Sequence, residues 1–331
     1  MDREEIKKTY SHIGAAYAVF VLVMYMASLI ITLILKKSGV ESVHGWLRYV
    51  VGLGPIWLVG FPVCYLPIRK MYNKAPDDHS LSMGFGIKFY FMLTFLMITG
   101  NIMGRLIAYL IELITGISID NTTIDMISRQ DIVSSIIFVV ILAPIMEELA
   151  FRKLLIDRLW FFSKKHTIIL SGFMFALFHT NIYQFFYAFL VGLIFAYIYT
   201  ITGRIRYSII LHMTINFIHG IVPLTCIKMM DMDKIIQLVM LDENSKEARR
   251  LAFELLVTPG FLLFIIYCLI ILGFVITGLV LFVKNVKKMK VDDTMSPVHK
   301  PGAVSVIYGN AGMIIFILVM IFFTVFEIMI S

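Results

Sequence analysis

The clearest pattern in the chain is an alternation of long apolar segments with short polar ones. Nine apolar segments are long enough, or almost long enough, to cross a hydrocarbon core of about 30 Å. They lie at 13–35, 47–68, 87–115, 132–151, 167–180, 182–202, 207–224, 258–283 and 304–330. Because the fifth is short and Thr180 and Asn181 alone separate it from the sixth, we expect it to be tilted, re-entrant or buried. The pattern predicts an all-α polytopic transmembrane helix bundle of eight or nine spans.

The composition supports a membrane protein. Of the 331 residues, 60% are hydrophobic and 15% are charged, whereas about 25% of the residues in a soluble domain are charged. The cysteines Cys64, Cys226 and Cys268 are not spaced as a pair, which argues against a disulfide framework and a cysteine-based zinc site. No cleavage site follows the first apolar segment, so we expect it to remain as a span.

The basic residues are distributed unevenly between the loops. The net charge is +7, and most lysines and arginines fall in segments that share a side with the N-terminus, which predicts a cytoplasmic N-terminus. These loops suit an anionic lipid bilayer surface. The chain has no Gly-rich phosphate loop and no aromatic-basic patch, which argues against nucleic acid as a partner. We expect the outside segment 225–257 to lie on the membrane surface and 284–302 to be a cytoplasmic linker.

The polar chemistry is concentrated in the middle of the chain. Residues 1–131 hold the N-terminal transmembrane spans, residues 132–225 form a candidate catalytic core, and residues 226–331 hold a surface segment and two further spans. We find no inverted repeat of the kind that many secondary transporters contain. This argues against a proton-coupled transporter.

The segment from Pro144 to Arg152 places charges inside the fourth span. A charge at bilayer depth costs at least about 2.5–3.5 kcal/mol, so such residues usually face a bundle interior or a wet cavity. Glu148 and Arg152 are spaced i,i+4 and are expected to pair, which leaves Glu147 available. Pro144 frees a backbone carbonyl, so a kink or a local water is expected. The alternative interpretation is a structural ion-pair cluster, or charge at the end of a helix where Arg152 reaches the headgroups.

The fifth and seventh spans each carry a histidine in a pair of residues with the same i,i+4 spacing. Phe175 and His179 share a face of the fifth span, and His212 and Asn216 share a face of the seventh. One histidine in an apolar helix is usually a satisfied core residue. Several polar groups on successive spans each need a buried partner, and we expect them to partner one another around an intramembrane cavity. His219 is interpreted as structural or supporting.

These residue types allow two kinds of chemistry. A carboxylate and an imidazole can activate a water as general bases, while a second imidazole and an amide can donate to an oxyanion. Together they would hydrolyse an amide bond. Glu147, His179 and His212 could instead bind one divalent metal, for example zinc. The sequence leaves open whether no cofactor or one divalent metal is used. It contains no H-E-x-x-H, no serine-hydrolase motif and no transmembrane aspartate pair.

The three motifs in this order resemble the CPBP family, the CAAX-protease and bacteriocin-processing (Abi) group of intramembrane proteases, which contains the type II CAAX prenyl endopeptidases. The motifs are Glu147-Glu148-x-x-x-Arg152, Phe175-x-x-x-His179 and His212-x-x-x-Asn216, within about residues 130–225. The resemblance implies that Glu147 and His179 activate water and that His212 and Asn216 form the oxyanion site. It implies supporting roles for Glu148 and Arg152, and a place in the cavity wall for Phe175. The family is often labelled metalloprotease, although a metal-free glutamate mechanism is also argued for it.

The predicted function is an intramembrane endopeptidase that cleaves a membrane-associated protein or peptide. The predicted location is a bacterial cell membrane, with the active site toward the cytoplasm. The alternative is a non-catalytic bacteriocin-immunity or scaffold protein of the same fold.

Overall fold

The computed structural model describes residues 2–40, 43–117, 119, 131–230, 232–241, 245–291, 293 and 302–330, and these contain helices and no strand. The helices are α1 (Arg3–Lys37), α2 (Trp46–Ile68), α3 (Met83–Thr115), α4 (Ile132–Leu159), α5 (Lys164–Phe178), α6 (Ile182–Thr202), α7 (Ile205–Lys228), α8 (Met232–Met240), α9 (Lys246–Leu256), α10 (Pro259–Lys288), α11 (Ala303–Ile307) and α12 (Ala311–Ile330).

The predicted polytopic helix bundle is confirmed, and the count of spans is resolved. Eight helices in the described part of the chain are long and apolar enough to cross a membrane: α1 to α4, α6, α7, α10 and α12. The fifth apolar segment forms α5, which has 15 residues and is too short for this set. About half of its residues are buried, so α5 lies inside the bundle. The division at 131/132 and 225/226 stays a prediction.

Polar caps set the limits of the helices around the site. Asp131 begins α4 by accepting from the Ser134 N–H at 2.7 Å. Ser163 and Asn181 cap α5 and α6 in the same way. Gly203 ends α6 with a φ of +63°, a left-handed conformation that glycine adopts without steric cost. Short capped connections therefore hold α4 to α7 next to one another.

Helix α6 is central and packs against α3, α5 and α7. The contact with α3 depends on two glycines one turn apart. A Cβ at Gly100 would lie 2.4 Å from the Tyr187 Cα, and one at Gly104 would lie 2.7 Å from the Tyr183 carbonyl oxygen. Small residues at this spacing let two membrane helices approach closely.

Helices α1 and α12 form a second close pair. A Cβ at Gly14 would lie 2.5 Å from the Gly312 backbone, and the Gly312 N–H donates to the Ser11 hydroxyl at 3.0 Å. Residues far apart in the chain are therefore neighbours in space: α12 packs against α1, whereas α10 packs against α3 and the end of α7.

The connections at one end of the bundle are tied together. The Lys74 N–H donates to the Asp157 carbonyl at 2.8 Å, and the Trp160 indole donates to the Lys74 carbonyl at 2.6 Å. The His79 N–H donates to the Thr202 carbonyl at 2.9 Å. The ends of α2, α4 and α6 thus share one face, so α5 leads the chain back through the bundle between α4 and α6. That this face is cytoplasmic stays a prediction.

The segment between α7 and α10 contains the amphipathic helices α8 and α9. The Glu254 carboxylate pairs with Lys234 at 3.0 Å and with Arg250 at 3.1 Å, which joins the two helices. The Met240 and Phe253 side chains are largely exposed. The prediction that this segment lies on a membrane surface stays a prediction.

Candidate active site

Helix α4 is irregular on both sides of the glutamates. Residues Ile136–Leu142 and Leu149–Leu154 are π-helical and flank Ala143–Glu148. The Ala143 N–H bonds to the Phe138 carbonyl, five residues back. In that register the Val139 carbonyl would require a donor from residue 144, which is a proline and has none. The carbonyl that Pro144 frees is therefore that of Val139.

Asn216 supplies the missing donor. Its side-chain amide donates to the Val139 carbonyl at 2.9 Å, which ties α7 to the π-helical part of α4. An amide nitrogen carries two hydrogens, so one remains for another acceptor. The predicted oxyanion role of Asn216 stays a prediction, and the contact that this structure adds is a structural one.

Glu148 and Arg152 form the pair that their spacing predicts. The Arg152 Nε lies 3.1 Å from the Glu148 Oε2, and both side chains are completely buried. The guanidinium also lies over the rings of Phe175, at 4.7 Å, and Phe195, at 5.6 Å. A carboxylate and two aromatic faces thus compensate a buried cation.

His212 lies between the two glutamates. Its Nδ1 is 3.1 Å from the Glu148 Oε1, and its Nε2 is 3.5 Å from the Glu147 Oε2. The ring stacks on Phe195 with centroids 5.0 Å apart. Glu147 keeps 19% of its side-chain surface exposed, whereas Glu148 keeps none. Glu147 is therefore the carboxylate that a water or a substrate can reach.

His179 lies at the C-cap of α5. Its Nδ1 is 2.8 Å from the Phe175 carbonyl oxygen, and since a carbonyl only accepts, Nδ1 carries the hydrogen. In the neutral ring, Nε2 is then free to accept. The Phe175 ring meets His179 edge-on at 4.8 Å and His212 edge-on at 5.9 Å. The buried Phe175 thus lies against both imidazoles, and its place in a cavity wall stays a prediction.

The structure brings predicted site residues of α4 and α7 into contact. It places Glu147 beside His212, with Glu148 and Arg152 behind them, and it links His179 to this cluster through Phe175. The sequence analysis missed Phe195 and the Val139 carbonyl. Phe195 is one of 27 phenylalanines and carries no distinguishing signal. Val139 could have been found from its position five residues before Pro144.

Glu147, His179 and His212 are the candidate ligands of the one-metal alternative. No group of three or more His, Cys, Asp or Glu side chains among the described residues is arranged to hold a metal ion. Both ring nitrogens of His212 face carboxylate oxygens, Nδ1 that of Glu148 and Nε2 that of Glu147. The one-metal alternative stays a prediction.

His219 has a structural environment. Its Nε2 lies 3.2 Å from the Thr94 hydroxyl, and its Nδ1 lies 3.5 Å from the Tyr267 hydroxyl. These contacts connect α7 with α3 and α10. They support the structural interpretation of this histidine.

The comparison with protein families covers the same segment. Residues 129–218 match the family model described as type II CAAX prenyl endopeptidase Rce1-like. This confirms the resemblance over α4 to α7, and the matched range includes every candidate site residue. The match to Rce1-like proteins supports a membrane endopeptidase at the family level. Neither the curated proteins nor the solved structures yield a significant match to this chain.

Proposed function

We propose that this protein is an intramembrane endopeptidase that hydrolyses a peptide bond of a membrane-associated protein or peptide. The observation that carries the proposal is the difference between the two adjacent carboxylates. Glu148 is buried against Arg152, while Glu147 is partly exposed and 3.5 Å from His212. Because Glu148 is paired with Arg152, Glu147 is the carboxylate that can act as a general base on a water.

In the proposed reaction, Glu147 accepts a proton from a water as the water oxygen attacks the substrate carbonyl carbon. The oxyanion that forms accepts hydrogen bonds from the His212 Nε2–H and from the second N–H of Asn216. The carbon–nitrogen bond then breaks, and the departing amine takes the proton that Glu147 holds. The His179 Nε2 accepts a hydrogen bond from the attacking water and orients it.

Glu148 and Arg152 support His212 in this scheme. In this scheme His212 donates at both ring nitrogens, from Nδ1 to Glu148 and from Nε2 to the oxyanion. Glu148 holds the Nδ1–H, and Arg152 balances the charge of Glu148. When the oxyanion forms, the His212 Nε2–H, which faces Glu147 in this structure, donates to the oxyanion instead.

The proposed scheme uses no metal, because His212 serves as a donor rather than as a ligand. We place the catalytic cavity toward the cytoplasmic side, on the charge distribution of the loops. The proposed substrate class is a lipid-anchored or otherwise membrane-bound peptide. The bacterial cell membrane remains the predicted location.

The test is cleavage by the purified protein in lipid nanodiscs. The probes are a farnesylated C-terminal peptide with a quenched fluorophore and the same peptide without the lipid. We expect Glu147→Gln to lower kcat by about 10²- to 10⁴-fold, the range that general acid–base catalysis typically contributes. The exposed Glu4→Gln should cleave like the parent. A Glu147→Gln protein that cleaves at the parental rate would refute the proposal.

The non-catalytic alternative predicts a different result in cells. Protection against a bacteriocin that survives Glu147→Gln at normal expression would favour an immunity or scaffold protein. Under the proposed function, any cellular activity of the protein should be lost with that substitution.

A further inference from the structure

We infer that Tyr25 and Glu327 are positioning residues that hold the turn after α5 and thereby orient His179. Both lie outside the segment that matches the Rce1-like family model. The inference rests on the proposed function in so far as His179 takes part in cleavage. It gives α1 and α12, which carry none of the three motifs, a role in positioning a site residue.

The turn itself is strained. Thr180, which directly follows His179, has a φ of +48°, and it is the one non-glycine residue with positive φ in the described part of the chain. A β-branched residue rarely adopts this conformation. It persists where the surroundings hold it, often at functional sites. Something outside α5 must therefore stabilise the backbone beside His179.

A chain of hydrogen bonds reaches this turn from α12. The Tyr25 hydroxyl donates to the Glu327 Oε1 at 3.2 Å and lies 3.1 Å from the Thr180 Oγ1. Since a tyrosine hydroxyl has a single hydrogen, which goes to Glu327, the Thr180 hydroxyl is the donor to Tyr25. The direction is thus fixed from Thr180 through Tyr25 to Glu327. This fixes the Thr180 side chain on its strained backbone.

Tyr25 is held on two sides by the same helix. Its ring stacks on Phe323 with centroids 3.6 Å apart and an angle of 5° between the planes. Phe323 and Glu327 are spaced i,i+4 on one face of α12. Because Gly14 and Gly312 lock α1 against α12, the two helices present the Tyr25 hydroxyl from a rigid base.

The consequence for His179 follows from its own hydrogen bond. The ring keeps its Nδ1–H on the Phe175 carbonyl and its Nε2 free only while the backbone at the end of α5 keeps its direction. A turn that relaxes toward an unstrained φ would rotate the imidazole. Displacements of about 1 Å in a catalytic group lower rates by up to about 10²-fold.

The kinetic test uses variants that break one link each. We expect Tyr25→Phe and Thr180→Val each to lower kcat about tenfold with KM changed less than about twofold, and the double variant to be no worse than either. Glu327→Leu should behave in the same way. Glu327→Gln keeps a carbonyl acceptor and should retain most of the activity. Tyr109→Phe and Thr32→Val, both exposed, are the matched controls.

A second measurement does not depend on cleavage. Magic-angle-spinning NMR of 15N-histidine-labelled protein in bilayers reports the tautomer of each ring, with His179→Asn to assign the signals. The parent should show His179 protonated at Nδ1, and Tyr25→Phe should show a mixture of tautomers. If the parent cleaves no substrate while Tyr25→Phe still changes these signals, the positioning role stands and the proposed function fails.

Two results would overturn the inference. One is unchanged kcat and unchanged His179 signals in both Tyr25→Phe and Glu327→Leu. The other is a lower kcat with unchanged His179 signals, because the loss would then be a general effect on the bundle.

Discussion

The Asn216 amide donates to the Val139 carbonyl across 2.9 Å and joins two helices at the place where a proline interrupts one of them. The acceptor exists because Pro144 has no N–H to offer in the π-helical register. The donor comes from α7, whereas the acceptor lies on α4. A motif residue with a predicted role in chemistry thus also completes the backbone hydrogen bonding of the helix that carries Glu147.

Asn216→Ala should therefore lower stability as well as activity. An acceptor left unpaired in a low-dielectric interior costs about 1–3 kcal/mol. Thermal unfolding in detergent, followed by a thiol-reactive dye, measures the change. Thr214→Val, an exposed substitution on the same helix, is the control and should leave the transition in place.

Pro144→Ala tests the explanation directly. It restores an N–H that can bond to the Val139 carbonyl, so Pro144→Ala with Asn216→Ala should regain much of the stability that Asn216→Ala loses. Catalytic activity should not return, because the amide is still missing. Equal instability of the single and double variants would contradict the assignment of Val139 as the freed carbonyl.

The two glutamates should respond differently to neutralisation. Glu148→Ala leaves the buried Arg152 guanidinium without its carboxylate partner. Arg152→Ala leaves the buried Glu148 carboxylate without its guanidinium partner. Breaking a buried pair costs about 3–5 kcal/mol. We expect both variants to lose folded protein in size-exclusion profiles, while Glu147→Gln elutes like the parent. Folded, monodisperse Arg152→Ala protein would show that the pair is not structural.

The contact between α3 and α6 should be sensitive to the size of one residue. Gly100→Leu forces a side chain into the Tyr187 backbone, whereas on the same helix a Cβ added at Gly86 has no atom within 4 Å, so Gly86→Leu is the control. Overpacking typically costs about 1–3 kcal/mol or more. A lower yield of folded protein is expected for Gly100→Leu alone. Matching yields for the two variants would exclude a close helix–helix contact at Gly100.

Metal removal should leave cleavage unchanged under the proposed scheme. Dialysis against a strong chelator, followed by the nanodisc assay, measures this. Activity that disappears and returns on adding zinc would favour the one-metal alternative. Elemental analysis of the purified protein provides an independent control.

The contact between α8 and α9 should weaken in acid. Hydrogen bonds from Lys234 and then from Arg250 lower the pKa of Glu254. A lowered folded-state pKa gives stability that is present above the unfolded value of about 4.3 and is lost as the pH falls through the lower folded value. Hydrogen exchange of residues 232–256, corrected for intrinsic rates, should rise below about pH 4. In Glu254→Gln, protection should not depend on pH.

The features that the sequence predicted are those that depend on neighbours in the chain. The spans follow from runs of apolar residues, and the pair of Glu148 with Arg152 follows from i,i+4 spacing. The short fifth segment was ambiguous because length alone does not distinguish a tilted span from a buried helix.

The features that the sequence did not predict join residues that are distant in the chain. His212 lies between two glutamates of another helix, and Tyr25 reaches both Thr180 and Glu327. Such contacts depend on how helices rotate and cross, which a single apolar pattern does not specify. The π-helical register of α4 likewise becomes visible only when its backbone partners are known.

The close pairing of α1 with α12 has a consequence for biosynthesis. Ser11 and Gly312 are separated by 301 residues, so a ribosome must translate all of the intervening chain before the two can meet. Until then, the face of α1 that carries Gly14 is in contact with lipid or with an insertion chaperone. Formation of the α1–α12 contact is therefore a late, post-insertion event, and truncation before residue 311 should yield an inserted protein that lacks this contact.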